Sequence, residues 1–232
     1  MRYPNITKAI FIDRPNRFIA HVDIDGQTET VHVKNTGRCK ELLIKGAEVY
    51  LTEPDSPGRK TRYDLIAVRK GNGVLFNIDS QAPNKVIKEW LQREGFTKVV
   101  PEYTYGDSRL DFYLEKGRKK YLMEVKGCTL EIDGIGYFPD APTDRGVKHI
   151  HELIKAKEAG YSSVLAFVIQ MDGVYEVRGH KTMHPEFADA MDEARSKGVL
   201  IWSLPCHVEP DSLEIEAHLE ANRLRSISSQ LL

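Results

Sequence analysis

The chain has 232 residues, 41% of them hydrophobic, enough for one large domain or two modest ones with ordinary packed cores. Its 33 Lys and Arg against 34 Asp and Glu leave a net charge of −1, so overall charge says little about partners, and charges interrupt every apolar stretch before it could span a membrane. Cys39, Cys128 and Cys206 are odd in number and lack CxxC spacing, which argues against a disulfide framework and a thiolate zinc site; with no apolar leader after Met1, a cytoplasmic protein is expected.

Residues 6–78 read as short strands with turn punctuation. Stretches 18–24 and 30–33 flank Asp25-Gly26, a brief helical stretch is expected at 38–44, and strands return at 49–52, 64–69 and 74–78. Three strands, a short helix and at least two more strands is the order of an OB-type small β-barrel, although another small barrel fits the same string. At Gln81-Ala82-Pro83-Asn84 the pattern changes to a linker-like entry, and Val86, Ile87, Trp90 and Leu91 recur at helical spacing. The domain boundary is therefore placed at 80. Strands are then expected at 98–105, 109–115 and 121–130, a helix at 144–159, a buried strand at 163–170, a helix at 186–197 and a strand at 199–204. The fold class is α/β (α+β), with a mixed sheet flanked by helices over 81–220 and a tail of no assigned role at 221–232.

The chemistry concentrates in the hairpin formed by the second and third of those strands. With Gly117-Arg118 as a two-residue turn, Asp111 falls opposite Glu124, Arg109 opposite Lys126 and Tyr113 opposite Leu122. Opposed Cβ atoms lie about 4.5–5.5 Å apart, so Asp111, Glu124 and Lys126 should share one face while Leu110, Phe112, Leu114, Met123 and Val125 enter a core. Two facing carboxylates repel unless a cation or proton intervenes. Mg²⁺ or Mn²⁺ suits them, with Lys126 beside the attacking water, and neutralising either acid should relieve repulsion in the metal-free protein. A cross-strand salt bridge to Lys126 or Arg109 is the plainer alternative. Glu102 is a further acid whose face the pattern leaves open. Arg145, Lys148, His149 and Glu152 form a polar helical stripe suited to phosphodiester binding, though each alone is more commonly a solvated surface residue.

Basic residues also cluster at Arg38 and Lys40, and at Arg59, Lys60 and Arg62, a pattern expected of phosphate contacts, while a solvated loop explains any single cluster as well. No helix-turn-helix or zinc-finger pattern is present, so binding to DNA, or to RNA, should be largely independent of base sequence. A small-molecule phosphate enzyme could use the same acids. No residue specifies an oligomeric state.

The blocks Asn35-Thr36-Gly37-Arg38, Ser108-Arg109-Leu110-Asp111, Glu124-Val125-Lys126-Gly127 and Phe138-Pro139-Asp140-Ala141-Pro142-Thr143, with Arg145-Gly146 and Lys148-His149, together resemble the sugar fermentation stimulation protein family. That resemblance covers roughly residues 1–220. It implies an OB-type domain joined to a PD-(D/E)xK nuclease-like domain, DNA binding as the activity, a link by name to regulation of sugar use, and Asp111, Glu124 and Lys126 as the nuclease acid, acid and lysine. The first acid stands in Arg-Leu-Asp rather than Pro-Asp.

Overall fold

Five N-terminal strands close on themselves because the first is long enough, and bent enough, to pair on both sides. β1 (Ile6–Asn16) takes β2 (Ile19–Ile24) along its C-terminal part and β4 (Glu48–Thr52) along its N-terminal part, and register shifts after Phe11 and Asp13 bend it. β3 (Gln27–Val33) pairs with β2, β5 (Asp64–Arg69) pairs with β4, and a parallel β3–β5 contact closes the barrel. β6 (Leu75–Asn77) extends β5. The described residues of the structure, a computed structural model, are 1–216 apart from 36, 56 and 57, so the sequence-defined tail at 221–232 lies outside them.

The helix expected at 38–44 is a single turn. Cys39, at φ +46°, accepts from the N–H groups of both Leu42 (3.1 Å) and Leu43 (2.8 Å), and Gly46, at φ +89°, returns the chain toward β4. Cys39, Leu42 and Leu43 plug the barrel interior, and burying them fixes the segment before a second helical turn can form.

A second six-stranded sheet follows. α1 (Ala82–Arg93) precedes the antiparallel strands β7 (Lys98–Tyr105), β8 (Ser108–Lys116) and β9 (Lys119–Cys128). β10 (Leu130–Ile132) and β11 (Ile135–Phe138) lead to α2 (Asp144–Glu158), β12 (Ser162–Ile169), β13 (Val177–Gly179), α3 (Pro185–Ser196), β14 (Leu200–Glu209) and β15 (Ser212–Ile215). The strand order is β15-β14-β12-β9-β8-β7, with β12 parallel to both neighbours. α1 covers one face, and α2 and α3 the other. β12 is therefore covered on both sides, which explains its unbroken apolar run. β10, β11 and β13 form a small third sheet, invisible to local pattern because its parallel pair joins residues about forty positions apart. No helix among the described residues is long and apolar enough to cross a membrane.

The passage from barrel to sheet is not a loose linker. Asp79 is fully buried, pairs with Lys34 at 2.9 Å, accepts from Tyr3 Oη and caps Gln81 N–H at 2.9 Å. Gln170, directly after β12, donates to Asn77 Oδ1 and to the Asp79 carbonyl. Buried polar groups must be partnered, and here each domain supplies partners to the other.

Candidate metal centre and nucleic-acid surface

The hairpin register runs as the turn dictates, from Lys116↔Lys119 through Tyr113↔Leu122 to Phe112↔Met123, with Gly117 at φ +59° in the turn. There the paired ladder ends. Asp111 does not continue it as a facing residue; its Oδ2 accepts the Val125 N–H at 2.7 Å, the donor that a continued ladder would direct at β8. Leu110 departs from the expected face as well. Phe112, Leu114, Met123 and Val125 pack under α1, whereas Leu110 joins Tyr113 and Leu122 in the core under α2. The change of face coincides with Glu102 on β7, whose φ of +58° falls between the pairs Pro101↔Phe112 and Tyr103↔Leu110 and breaks regular alternation. Asp111 thus sits where β8 parts from β9.

Glu124 projects toward α2 and is 2% exposed. Its Oε1 accepts from Lys126 Nζ at 2.6 Å and from His149 Nδ1, and Arg145 Nε donates to His149 Nε2 at 3.4 Å. The imidazole tautomer with its proton on Nδ1 satisfies both contacts. Burial pushes the Glu124 carboxyl up, but the His149 hydrogen bond and Lys126 outweigh it, and the net shift is downward. Burial, then the charge of Glu124, pushes Asp111 above the usual carboxylate range, against the Val125 N–H, Asn84 and Lys126. The charge of Glu124 thus acts on Asp111, which sets the two acids near one another. Glu124 Oε2 is buried and has no hydrogen-bond partner among the described residues.

Of the other candidates, Glu102 is turned to Arg109, 2.5 Å away, in an exposed ion pair, which also takes Arg109 away from Lys126. Lys148 is exposed on α2. Arg59 pairs with Asp64, and Arg62 grips Glu53 through two nitrogens and lies over Tyr63. Lys60, Arg38 and Lys40 are exposed. Asn84, in the first turn of α1, donates to Asp111 Oδ1 at 2.8 Å. No local pattern signals that contact, because only the docking of α1 on the sheet makes it. Arg14 likewise carries no local signal. Its guanidinium donates to the carbonyls of Arg17, Asn35, Gly37 and Arg38, lacing two loops at the barrel rim.

Among the described residues no cluster of three or more His, Cys, Asp or Glu is arranged to hold a metal ion. A cation at Asp111 and Glu124 would draw its remaining oxygens from water and phosphate, as Mg²⁺ commonly does.

Comparison with known proteins adds lineage to this geometry. Residues 12–78 match the SfsA N-terminal OB domain, and residues 81–212 match the sugar fermentation stimulation protein RE domain. Relatives named sugar fermentation stimulation protein homolog include one from Desulfitobacterium hafniense, 52% identical over 92% of this chain and 95% of its own length. Another, from Ruminiclostridium cellulolyticum, is 52% identical over 95% and 99%. A solved structure of Pyrococcus furiosus SfsA in complex with Ca²⁺ superposes with a TM-score of 0.82 at 31% identity, covering 94% of this chain and 96% of that one. With both domains matched in order and relatives identical at half of all positions over nearly their whole length, the chain belongs to the sugar fermentation stimulation protein family.

Proposed function

We propose that this protein binds DNA largely without regard to base sequence and presents a phosphodiester to a divalent cation held by Asp111 and Glu124, with Lys126 beside it. One observation carries the reading: a buried carboxylate oxygen, Glu124 Oε2, has no partner among the described residues, and the charge of this carboxylate acts on a second acid, Asp111. A buried oxygen of this kind costs free energy unless a ligand satisfies it, and Mg²⁺ or Mn²⁺ supplies the charge. The Ca²⁺ bound by the Pyrococcus furiosus relative supports a hard-cation site in this fold. We divide the work at residue 80, with the barrel binding nucleic acid and 81–220 carrying the site, in a cytoplasmic protein whose three cysteines are free and buried. The sugar-related name of the relatives would then reflect a regulatory use of DNA binding.

The bound metal would polarise phosphate and lower the pKa of water. Asp111 is held for this by Asn84 and the Val125 N–H, and Glu124 by Lys126 and His149. Lys126, on Glu124, can lend positive charge to a phosphate oxygen. This completeness of acid, acid and lysine favours a second reading, an active Mg²⁺-dependent nuclease on DNA or RNA.

Incubation with supercoiled, linear, branched and single-stranded DNA and with RNA, in Mg²⁺, Mn²⁺ or EDTA, separates the two. Binding should weaken with salt at a slope of about −0.9 per phosphate neutralised on duplex, and Arg38→Ala or Lys40→Ala should flatten it. Cleavage lost in Asp111→Asn, Glu124→Gln and Lys126→Ala establishes the nuclease. Calorimetric titration with no Mg²⁺ or Mn²⁺ binding, with or without DNA, rejects the metal site.

A further inference from the structure

At the β1–β2 turn, opposite in character to the buried plug at the other loop, the chain displays an aromatic ring. Phe18 is 50% exposed, and the Arg17 guanidinium lies 5.9 Å from its ring centroid. The exposure is built in. Asn16 Oδ1 accepts from the N–H groups of Phe18 (2.9 Å) and Ile19 (3.1 Å), the Phe18 carbonyl accepts from Val33 N–H (2.8 Å), and Arg14 holds the Arg17 carbonyl (2.7 Å). A ring on a backbone pinned at both ends is presented without loss of loop entropy on binding.

Its neighbours along the rim include basic side chains. Ile19, next to Phe18, pairs with His32, which pairs in turn with Asp64, the anchor of Arg59. In the other direction Arg14 ties this turn to Arg38, on the loop whose Gly37 approaches Asp140 so closely that a methyl there would lie 2.5 Å from Asp140 Oδ2. Asp140 lies four residues before α2, the helix that brings His149 to Glu124. The turn that carries Phe18 is thus tied to the loop that carries the exposed Arg38, and that loop touches the segment leading into α2.

We infer that Phe18, backed by Arg17, is a base-stacking platform, so that the ligand of this barrel rim is nucleic acid with unpaired bases: a single strand, or the single-stranded part of a junction. This rests on the nucleic-acid binding proposed above and adds the strand state to it. Stacking on an aromatic face is tolerant of sequence and unavailable to bases inside an intact duplex.

The test compares oligothymidylate with a blunt duplex of equal length across a salt series, with thermal melts of every variant. Phe18→Ala should weaken oligothymidylate binding about tenfold or more, leave the blunt duplex unchanged and leave the salt slope unchanged, since no phosphate contact is lost. Phe18→Trp should keep the affinity, with its fluorescence quenched on binding. Phe18→Leu, apolar but without a π face, should fall with Phe18→Ala. Equal binding of parent and Phe18→Ala, a parallel loss on both probes, or full affinity in Phe18→Leu overturns the platform and leaves electrostatic binding standing. If Phe18→Ala melts early, Phe18→Trp against Phe18→Leu decides alone. A parent that binds neither probe overturns both proposals.

Discussion

Glu124 shows how one residue's neighbours reverse an expectation drawn from charge alone. Facing carboxylates suggest that neutralising either acid stabilises the metal-free protein. The structure gives Glu124 two donors, Lys126 and His149, and gives Asp111 a backbone N–H and an amide. Glu124→Gln should therefore destabilise the metal-free protein by about 1 to 3 kcal/mol, because buried partners lose their counter-charge. Asp111→Asn should stay within about 1 kcal/mol, since relief of repulsion offsets a weaker acceptor for Val125 N–H. Added Mg²⁺ or Mn²⁺ should raise the parent's melting temperature and fail to raise that of either variant, as thermal denaturation with and without metal will show.

At the scale of elements, β9 is closely hemmed in beside the site. Immediately after Lys126, Gly127 passes so near its neighbours that a methyl would lie 2.3 Å from Gln170 Oε1 and 2.8 Å from Pro83 Cγ. Gln170 cannot swing aside, because its amide nitrogen is committed to Asn77 and Asp79 across the domain junction. Gly127→Ala is expected to cost about 1 to 3 kcal/mol in denaturant titrations, and a cost near zero would mean that the junction yields. In the barrel, Glu48 on β4 ties β1 to β5 by accepting from Lys8, Tyr50 and Arg69, which hold its carboxyl down at about 2 against an ordinary 4.5. A folded-state value below the unfolded one means that its stabilisation is full above about 4.5 and disappears as pH falls toward 2. Glu48→Gln should remove that part of the acid dependence while the melting temperatures of parent and variant converge at the acid end of the range.

For the molecule as a whole, a single hydrophobic cluster runs from barrel residues such as Val22, Val31 and Leu65 to Leu110, Ile150 and Phe167 of the sheet domain. The second cluster likewise joins Tyr50 and Ile66 of the barrel to Trp90 and Met123. With Asp79, Asn77 and Gln170 sealing the junction between them, neither domain can unfold without exposing the other's core and orphaning buried polar groups. One calorimetric transition is expected, with its van't Hoff and calorimetric enthalpies equal. Two resolved transitions would show that the domains merely touch. Asp79→Ala should uncouple them, separating the melts or lowering the common one.

How much of this was legible in the chain follows from the range over which each feature is determined. Period-two and helical patterning, the Gly117-Arg118 turn and the apolar run of β12 are local, so the barrel, the mixed sheet, its helices and the register of the hairpin could be read from residue order. The brief helix at 38–44 could not, since burial of Leu42 and Leu43 ended it after one turn. The facing of Asp111 and Glu124 presumes a regular ladder, and the ladder stops one pair short where Glu102, on the neighbouring strand, adopts a left-handed conformation that no local pattern announces. His149 on Glu124, Asn84 on Asp111 and Arg14 on four carbonyls join residues 25, 27 and up to 24 positions apart. Sequence supplies the types of groups a site can use; only docking of helices and loops decides which of their atoms meet, because side-chain contacts over such separations depend on the packed core between them.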